Sequence, residues 1–279
     1  MDMKHSSDNY QAGSLSLPGA VAMGTGVMIG AGIFALTGQI AELGGPAFPL
    51  AFLIAAFISG FSAYSYVKVS NKYPSSGGIA MILKKAYGPS TITGTAALLM
   101  VLSMIINESL VARTFASYSL QLFDVEKTDL LLPGLALGLI FFAFLVNIAG
   151  NKFIGGISKI TAILKIGGIL VFSFIVLLST GGIASMTPPP GENTVSTLSF
   201  IAGVALAILA FKGFTTITNS GAEISHPNKN VGRAIIISLL ICLVVYMFVA
   251  FAVGSALDID AIIAAKDFSL AEAARPALG

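Results

Sequence analysis

The sequence predicts an all-α, polytopic membrane protein organised as an inverted repeat, and three observations carry that prediction. Of the 279 residues, 56% are hydrophobic and 10% are charged, with a mean hydropathy of +0.91. The apolar residues fall in blocks of about twenty, the length a helix needs to cross hydrocarbon. Two of those blocks carry glycine and polar residues at mid-depth, about 180 residues apart. Backbone polar groups in a bilayer must be satisfied internally, so only helices or closed barrels span, and blocks this long and continuous exclude barrel strands.

Seven spans are expected: Leu17 to Leu43, Phe48 to Val69, Thr91 to Leu122, Leu130 to Gly150, Ile157 to Thr180, Thr197 to Ile224 and Ala234 to Ala256. They divide the chain into a tail (1–16), a first five-helix repeat (17–180), an outer loop (181–196), the first two helices of a second, inverted repeat (197–256) and an outer amphipathic segment (257–279). "ELGGPAF", Glu42 to Phe48, is a short outer turn. Asn71 to Ser90 is too polar at its ends to span, and its middle reads as a short amphipathic helix along the cytoplasmic face. "TPPPGENT", Thr187 to Thr194, is an extended outer loop, and "SHPNKNVGRA", Ser225 to Ala234, a tight basic turn.

Loop charge sets the orientation. Lys4, Lys68, Lys72, Lys84, Lys85, Lys152, Lys159, Lys229 and Arg233 fall on one side, while Glu42, Asp124, Glu126, Lys127, Asp129, Glu192, Asp258 and Asp260 fall on the other. The positive-inside rule places the N-terminus in the cytoplasm, in a cell membrane. The first twenty residues lack a short apolar core followed by a cleavage site, so the first block is expected to be retained.

Other classes are excluded on chemistry. A net charge of +2 with no basic run argues against nucleic acid. Cys242 is the only cysteine, and His5 and His226 are far apart, so neither a disulfide nor a metal or cofactor site is expected. HExxH, GxSxG and paired intramembrane aspartates are all lacking, which argues against an enzyme.

The stretch "GTGVMIGAGIF", Gly24 to Phe34, sits inside the first span. Gly26 and Gly30 form a GxxxG, which predicts close helix packing on one face. Gly30-Ala31-Gly32 departs from that pattern: three small residues in succession cover nearly every direction around a turn, and each glycine costs about 1 kcal/mol relative to Ala. A broken helix is the better reading, because irregular backbone at membrane depth persists where it lines a cavity. Amides opening the second half can hold a carboxylate, and carbonyls closing the first half an ammonium. The sixth span repeats the feature, apolar to Phe211 and then Lys212-Gly213-Phe214-Thr215-Thr216. Paired discontinuities of this kind point to a transporter's binding site.

"GTGVMIGAGIF", "GGPAF", "YPSSGGIAMILKKAYGP", "ARTFASY" (Ala112 to Tyr118) and "GAEISHPNKNVGRAI" (Gly221 to Ile235), in that order along nearly the whole chain, resemble the amino acid–polyamine–organocation superfamily of permeases. The resemblance implies an inverted-repeat fold of five plus five helices and alternating access around broken first and sixth helices. It also implies amino acid substrate and protons as partners. Members usually have ten or more spans, so a seven-span chain is expected to be a fragment. By the same resemblance, the backbone amides of Gly30, Ala31 and Gly32 receive the substrate carboxylate and the Met28 carbonyl its amine. The carbonyls of Leu209, Ala210 and Lys212 complete the amine site, and Asn107 faces the cavity. Many members have an aromatic gate where this chain has Leu209, the nearest aromatic being Phe211. Many also have an acidic residue in place of Thr215, and an apolar one in place of Lys212.

Ionisable residues within spans are costly and suggest function. Lys165 lies about a turn and a half beyond Lys159 in the fifth span, and the resemblance implies an ion-coupling ammonium that braces the first helix in place of sodium. Glu108 and Arg113, five apart, share no helix face; a pair between Glu108 and Lys212 is expected instead. Glu223 is expected to be a cap or inner-gate partner. The leading expectation is a proton-coupled amino acid transporter. The alternatives are a non-transporting fragment and a channel or scaffold subunit.

Overall fold

Polar residues cap several of the helices, and proline stands in the first turn of those that begin at Leu17, Phe48 and Pro227. In the computed structural model, Ser16 accepts from the Gly19 amide ahead of α1 (Leu17–Met28), with Pro18 in the first turn. Ser90 caps α5 (Thr91–Leu122), Ser196 caps α8 (Thr197–Phe211), and Asp258 caps α11 (Ile259–Ala264). Pro227 opens α10 (Pro227–Ala256). The remaining helices are α2 (Thr37–Gly44), α3 (Phe48–Lys72), α4 (Gly78–Tyr87), α6 (Leu131–Ile148), α7 (Asn151–Ser179), α9 (Thr215–Asn219) and α12 (Ser269–Leu278). The structure describes residues 13–123, 125, 128–148, 151–182, 195–265 and 267–278. Residues 1–12 of the expected tail, Thr187 to Thr194, and Asp124, Glu126, Lys127 and Glu192 lie outside the described residues, as do the side chains of Lys152 and Lys159.

The described chain is helical throughout, apart from turns and one isolated bridge between Leu15 and Ile224. Six stretches among the described residues are long and apolar enough to cross a membrane: Leu17–Ala35, Thr37–Lys72, Thr91–Leu122, Ile160–Ser179, Thr197–Asn219 and Pro227–Ala256. A seventh, Leu131–Val146, is apolar but shorter. Within Thr37–Lys72 the chain turns at Gly45, whose φ of 56° is open to glycine and whose missing side chain leaves room for Val195. The short helix expected within Asn71 to Ser90 is α4, and the outer segment forms α11 and α12.

Both expected breaks are present. After Met28 the chain leaves the α-helix at Ile29 and Gly30, runs through a π-helical turn (Ala31–Ala35), and resumes as α2. α8 ends at Phe211, tightens into a 3-10 turn (Lys212–Phe214), and continues as α9. These two broken helices run antiparallel along their whole length. Gly24 lies against Ile217, Gly213 against Met28, Gly32 against Ala210, and the Ser199 hydroxyl donates to the Leu43 carbonyl at 2.9 Å; beyond the helix ends Leu15 and Ile224 form a local parallel bridge. Because the partners run in opposite order, the breaks come level with each other at mid-length. Each broken helix is followed by a long one, α3 or α10, and these also run antiparallel, with Phe52 against Tyr246 and Asn71 against Gly232. That is the first repeat followed by the first two helices of an inverted second one.

α10 is the helix around which the others gather, packing against α1, α3 and α7. Hydrocarbon offers helices little hydrophobic incentive to associate, so close approach at small residues carries the packing. A Cβ on Gly24 would stand 2.5 Å from Ile217 and 3.0 Å from Ser238, and one on Gly232 2.7 Å from Val67. Gly26 departs from the GxxxG expectation, since nothing lies within 4 Å of where its Cβ would be. The face of α1 carrying Gly24 is turned to α9 and α10, and Gly26, two residues on, points elsewhere.

Candidate functional site

The two breaks meet in one buried junction. A Cβ on Gly32 would fall 2.9 Å from the Ala210 carbonyl, and one on Gly213 2.8 Å from the Met28 amide. Each break thus has a glycine where the backbone of the other passes. Into the same point α10 inserts Tyr246, fully buried, whose hydroxyl lies 2.6 Å from the Met28 carbonyl and 3.0 Å from the Ala210 carbonyl. A phenol has one hydrogen, so two acceptors share it. The Tyr246 ring is held by Phe52 and Phe211, with centroids 5.7 and 4.9 Å away.

Sequence reading missed Tyr246. The signal was a hydroxyl in the middle of "LVVYMFVAF": buried tyrosines seek a partner for the O–H, and the carbonyls freed at a helix break are the nearest acceptors. Its presence bears directly on two expected ligands. The Met28 and Ala210 carbonyls, expected to receive an amine, are engaged by the Tyr246 hydroxyl here, and Met28 also accepts from the Gly30 amide at 3.0 Å.

Across the first break the backbone bonds run from Gly30 to Met28 and from Phe34 to Gly30. Amides that open a helical segment, as at the π-helical turn beginning at Ala31, suit an anion. Opposite them stands α5. The Tyr118 hydroxyl donates to the Phe34 carbonyl at 3.4 Å, with the two rings edge-to-face at 5.6 Å. Further back along α5, the Ser103 hydroxyl accepts from the Lys212 ammonium. Asn107 is half-buried one turn from Ser103 on that same face.

Lys212 therefore meets Ser103 and not the expected Glu108. No ion pair joins Lys212 to Glu108 among the described residues, and Glu108 is exposed on another face of α5. Arg113 instead pairs with Asp267, just ahead of α12, at 3.7 Å. These two charges line a cavity of about 410 Å³ together with Gln39, Glu42, Thr114 and Ser117, at the Leu43 end of the broken helices.

Other expected residues lie away from the α5 face. Phe211 is fully buried and turned to α3 and α10, where it lines an apolar groove with Phe57 and Phe61. Leu209 is half-buried against the core, and the Thr215 hydroxyl donates to the Lys212 carbonyl at 3.0 Å. Lys165 is half-buried on α7, which packs against α1 and α10. At the far end it is the backbone of Glu223 that makes contact, its carbonyl accepting from the Leu15 amide at 3.0 Å.

Two antiparallel helices broken at the same depth, embraced by long helices that repeat in inverted order, define a polytopic membrane protein of the inverted-repeat transporter class. Residues 15–275 match the family model described as Amino acid permease. The chain belongs to that family. It is 34% identical over 267 residues to the uncharacterized protein MJ0609 of Methanocaldococcus jannaschii, covering 95% of this chain and 60% of that one. It is 29% identical over 275 residues to the inner membrane transport protein YbaT of Escherichia coli, covering 95% and 61%. It is also 29% identical over 248 residues to the branched-chain amino acid permease BcaP of Lactococcus lactis, covering 81% and 52%. The chain thus spans about 60% of the length of the first two relatives and about half of the third.

Proposed function

We propose that these residues form the binding half of a secondary transporter that moves an amino acid by alternating access, coupled to protons. The observation that carries the reading is the level junction of two broken helices, with the start of the π-helical turn at Ala31 on one side of the first break and the Met28 carbonyl on the other. An amino acid zwitterion presents a carboxylate and an ammonium a few ångströms apart, the separation that such a break offers. In this reading the amides of Ala31 and Gly32 hold the carboxylate, while that of Gly30, expected to join them, is donated to the Met28 carbonyl. Leu209, Ala210 and Lys212 supply backbone oxygens to the amine, and Asn107 closes the site from α5. Phe211 and Thr215 support the sixth-span break from behind.

Lys165 is the coupling residue in this reading. It has no hydrogen bond or ion pair among the described residues, and its helix packs directly on α1, so gain or loss of a proton there would be felt at the first break. The N-terminus lies in the cytoplasm of a cell, because Lys72, Lys229 and Arg233 gather at the end of the bundle where the chain enters.

Uptake into proteoliposomes tests the proposal. Radiolabelled amino acid should accumulate when an inward proton gradient is imposed, saturate with concentration, and be displaced by unlabelled amino acid. Unsaturable flux that follows only the concentration gradient would identify a channel and refute the reading.

A further inference from the structure

Resting on the transporter reading, we infer that Lys212 makes the site select acidic amino acids and reject cationic ones. Its backbone belongs to the second break: Gly213, the next residue, lies against Met28 at the end of α1. Its side chain crosses from that break to the Ser103 hydroxyl of α5. Farther along the same helix Tyr118 touches the first break at Phe34. The ammonium therefore leaves the second break toward α5, the helix that also reaches the first break, and in the inferred arrangement the substrate's side chain lies between them.

Charge at mid-depth is costly unless it is matched. A hydroxyl partner leaves the charge of Lys212 uncompensated, and among the described residues the carboxylates near α5 do not supply the match. Glu108 is five residues from Ser103, about 140° around the helix, and exposed. Asp267 faces Arg113. Glu42 lies at the Leu43 end of the cavity, beyond Phe34 along the broken helix.

A neutral zwitterion would leave the site with one net positive charge. A dicarboxylic amino acid would bring it to zero, one carboxylate on the amides that open the π-helical turn and the other on Lys212. A cationic side chain would set two ammonium groups in one water-poor space, where like charges a few ångströms apart repel strongly.

Equilibrium binding of radiolabelled L-glutamate, L-leucine and L-lysine to the purified protein tests this. Glutamate should bind tightest, at least about 100-fold tighter than lysine. Lys212→Met, which keeps length and removes charge, should weaken glutamate by about 10-fold or more and bring lysine level with leucine, while Lys212→Arg should keep the wild-type order. The number of sites reports the folded fraction separately, so the affinities remain readable if a variant folds poorly. Equal affinity for glutamate and lysine in the wild type, or an unchanged order in Lys212→Met, overturns the inference while binding itself upholds the transporter reading. Failure of the wild type to bind any of the three would refute that reading and the inference with it.

Discussion

Tyr246→Phe removes one oxygen and leaves the rest of the junction in place. The ring keeps its contacts with Phe52 and Phe211, so the change isolates the hydroxyl. Two buried carbonyls lose a donor, Met28 at 2.6 Å and Ala210 at 3.0 Å, both on residues 1% exposed. Leaving a buried acceptor unpaired costs about 1–3 kcal/mol. The Met28 carbonyl retains the Gly30 amide at 3.0 Å, which keeps the sum nearer the cost of one orphan than of two. If half of about 2 kcal/mol falls on the geometry that binds substrate, affinity drops about fivefold; if all of it does, about thirtyfold. Because the break, in the proposed reading, grips groups common to all amino acids, the factor should be the same for every amino acid bound. Binding isotherms for several amino acids read this directly, with Kd rising and the number of sites holding. An unchanged Kd, or a loss that varies from one amino acid to another, would show that Tyr246 does not position the two breaks.

Further outcomes follow from the same geometry. Gly213→Ala puts a Cβ 2.6 Å from the Met28 side chain and 2.8 Å from its backbone amide, so it should cost about 1–3 kcal/mol by overpacking and lower the melting temperature in detergent. Gly26→Ala, with nothing within 4 Å, should leave the melting temperature unchanged or raise it slightly, as Ala favours the helix. Lys165→Ala should abolish proton-driven uptake while substrate binding and expression persist; normal uptake by the variant would remove Lys165 from the coupling role. Asp267→Asn breaks a pair at 3.7 Å whose side chains are 64% and 24% exposed, so it should destabilise by less than about 1 kcal/mol, and the difference should fade in high salt.

What the sequence made legible is what hydrophobicity and helix propensity control. Span lengths follow from the cost of exposing backbone to hydrocarbon, and the match from Thr91 to Leu122 is residue for residue. Both breaks were visible because glycine in succession, or a lysine beside a glycine, conflicts with an apolar helix. Rotation about the helix axis was not visible. A small turn of α8 decides that Phe211 faces α3 and α10 while Lys212 faces α5. The rotation of α5 brings Ser103 to Lys212 and leaves Glu108 outside. Likewise Gly24 is buried at an interface and Gly26 is not, although the GxxxG pattern singled out Gly26. These orientations depend on how ridges of one helix fit grooves of another, information spread over residues far apart in the chain.

A single broken helix would leave its freed carbonyls to water or to a ligand. Two breaks set level and antiparallel let each shield part of the other, and the glycines show how: Gly32 admits the Ala210 carbonyl and Gly213 admits the Met28 amide. The shielding is incomplete. Three oxygens, of Met28, Ala210 and Tyr246, converge at the C-terminal ends of α1 and α8 with one hydroxyl hydrogen among them. Two helix dipoles therefore present their negative ends at one point, while, a few residues on, the start of the π-helical turn at Ala31 presents the opposite sign. Tyr246 and the Gly30 amide supply donors to the negative ends. In the proposed reading the ammonium and carboxylate of an amino acid complete the two sides, and Lys212 meets its side chain.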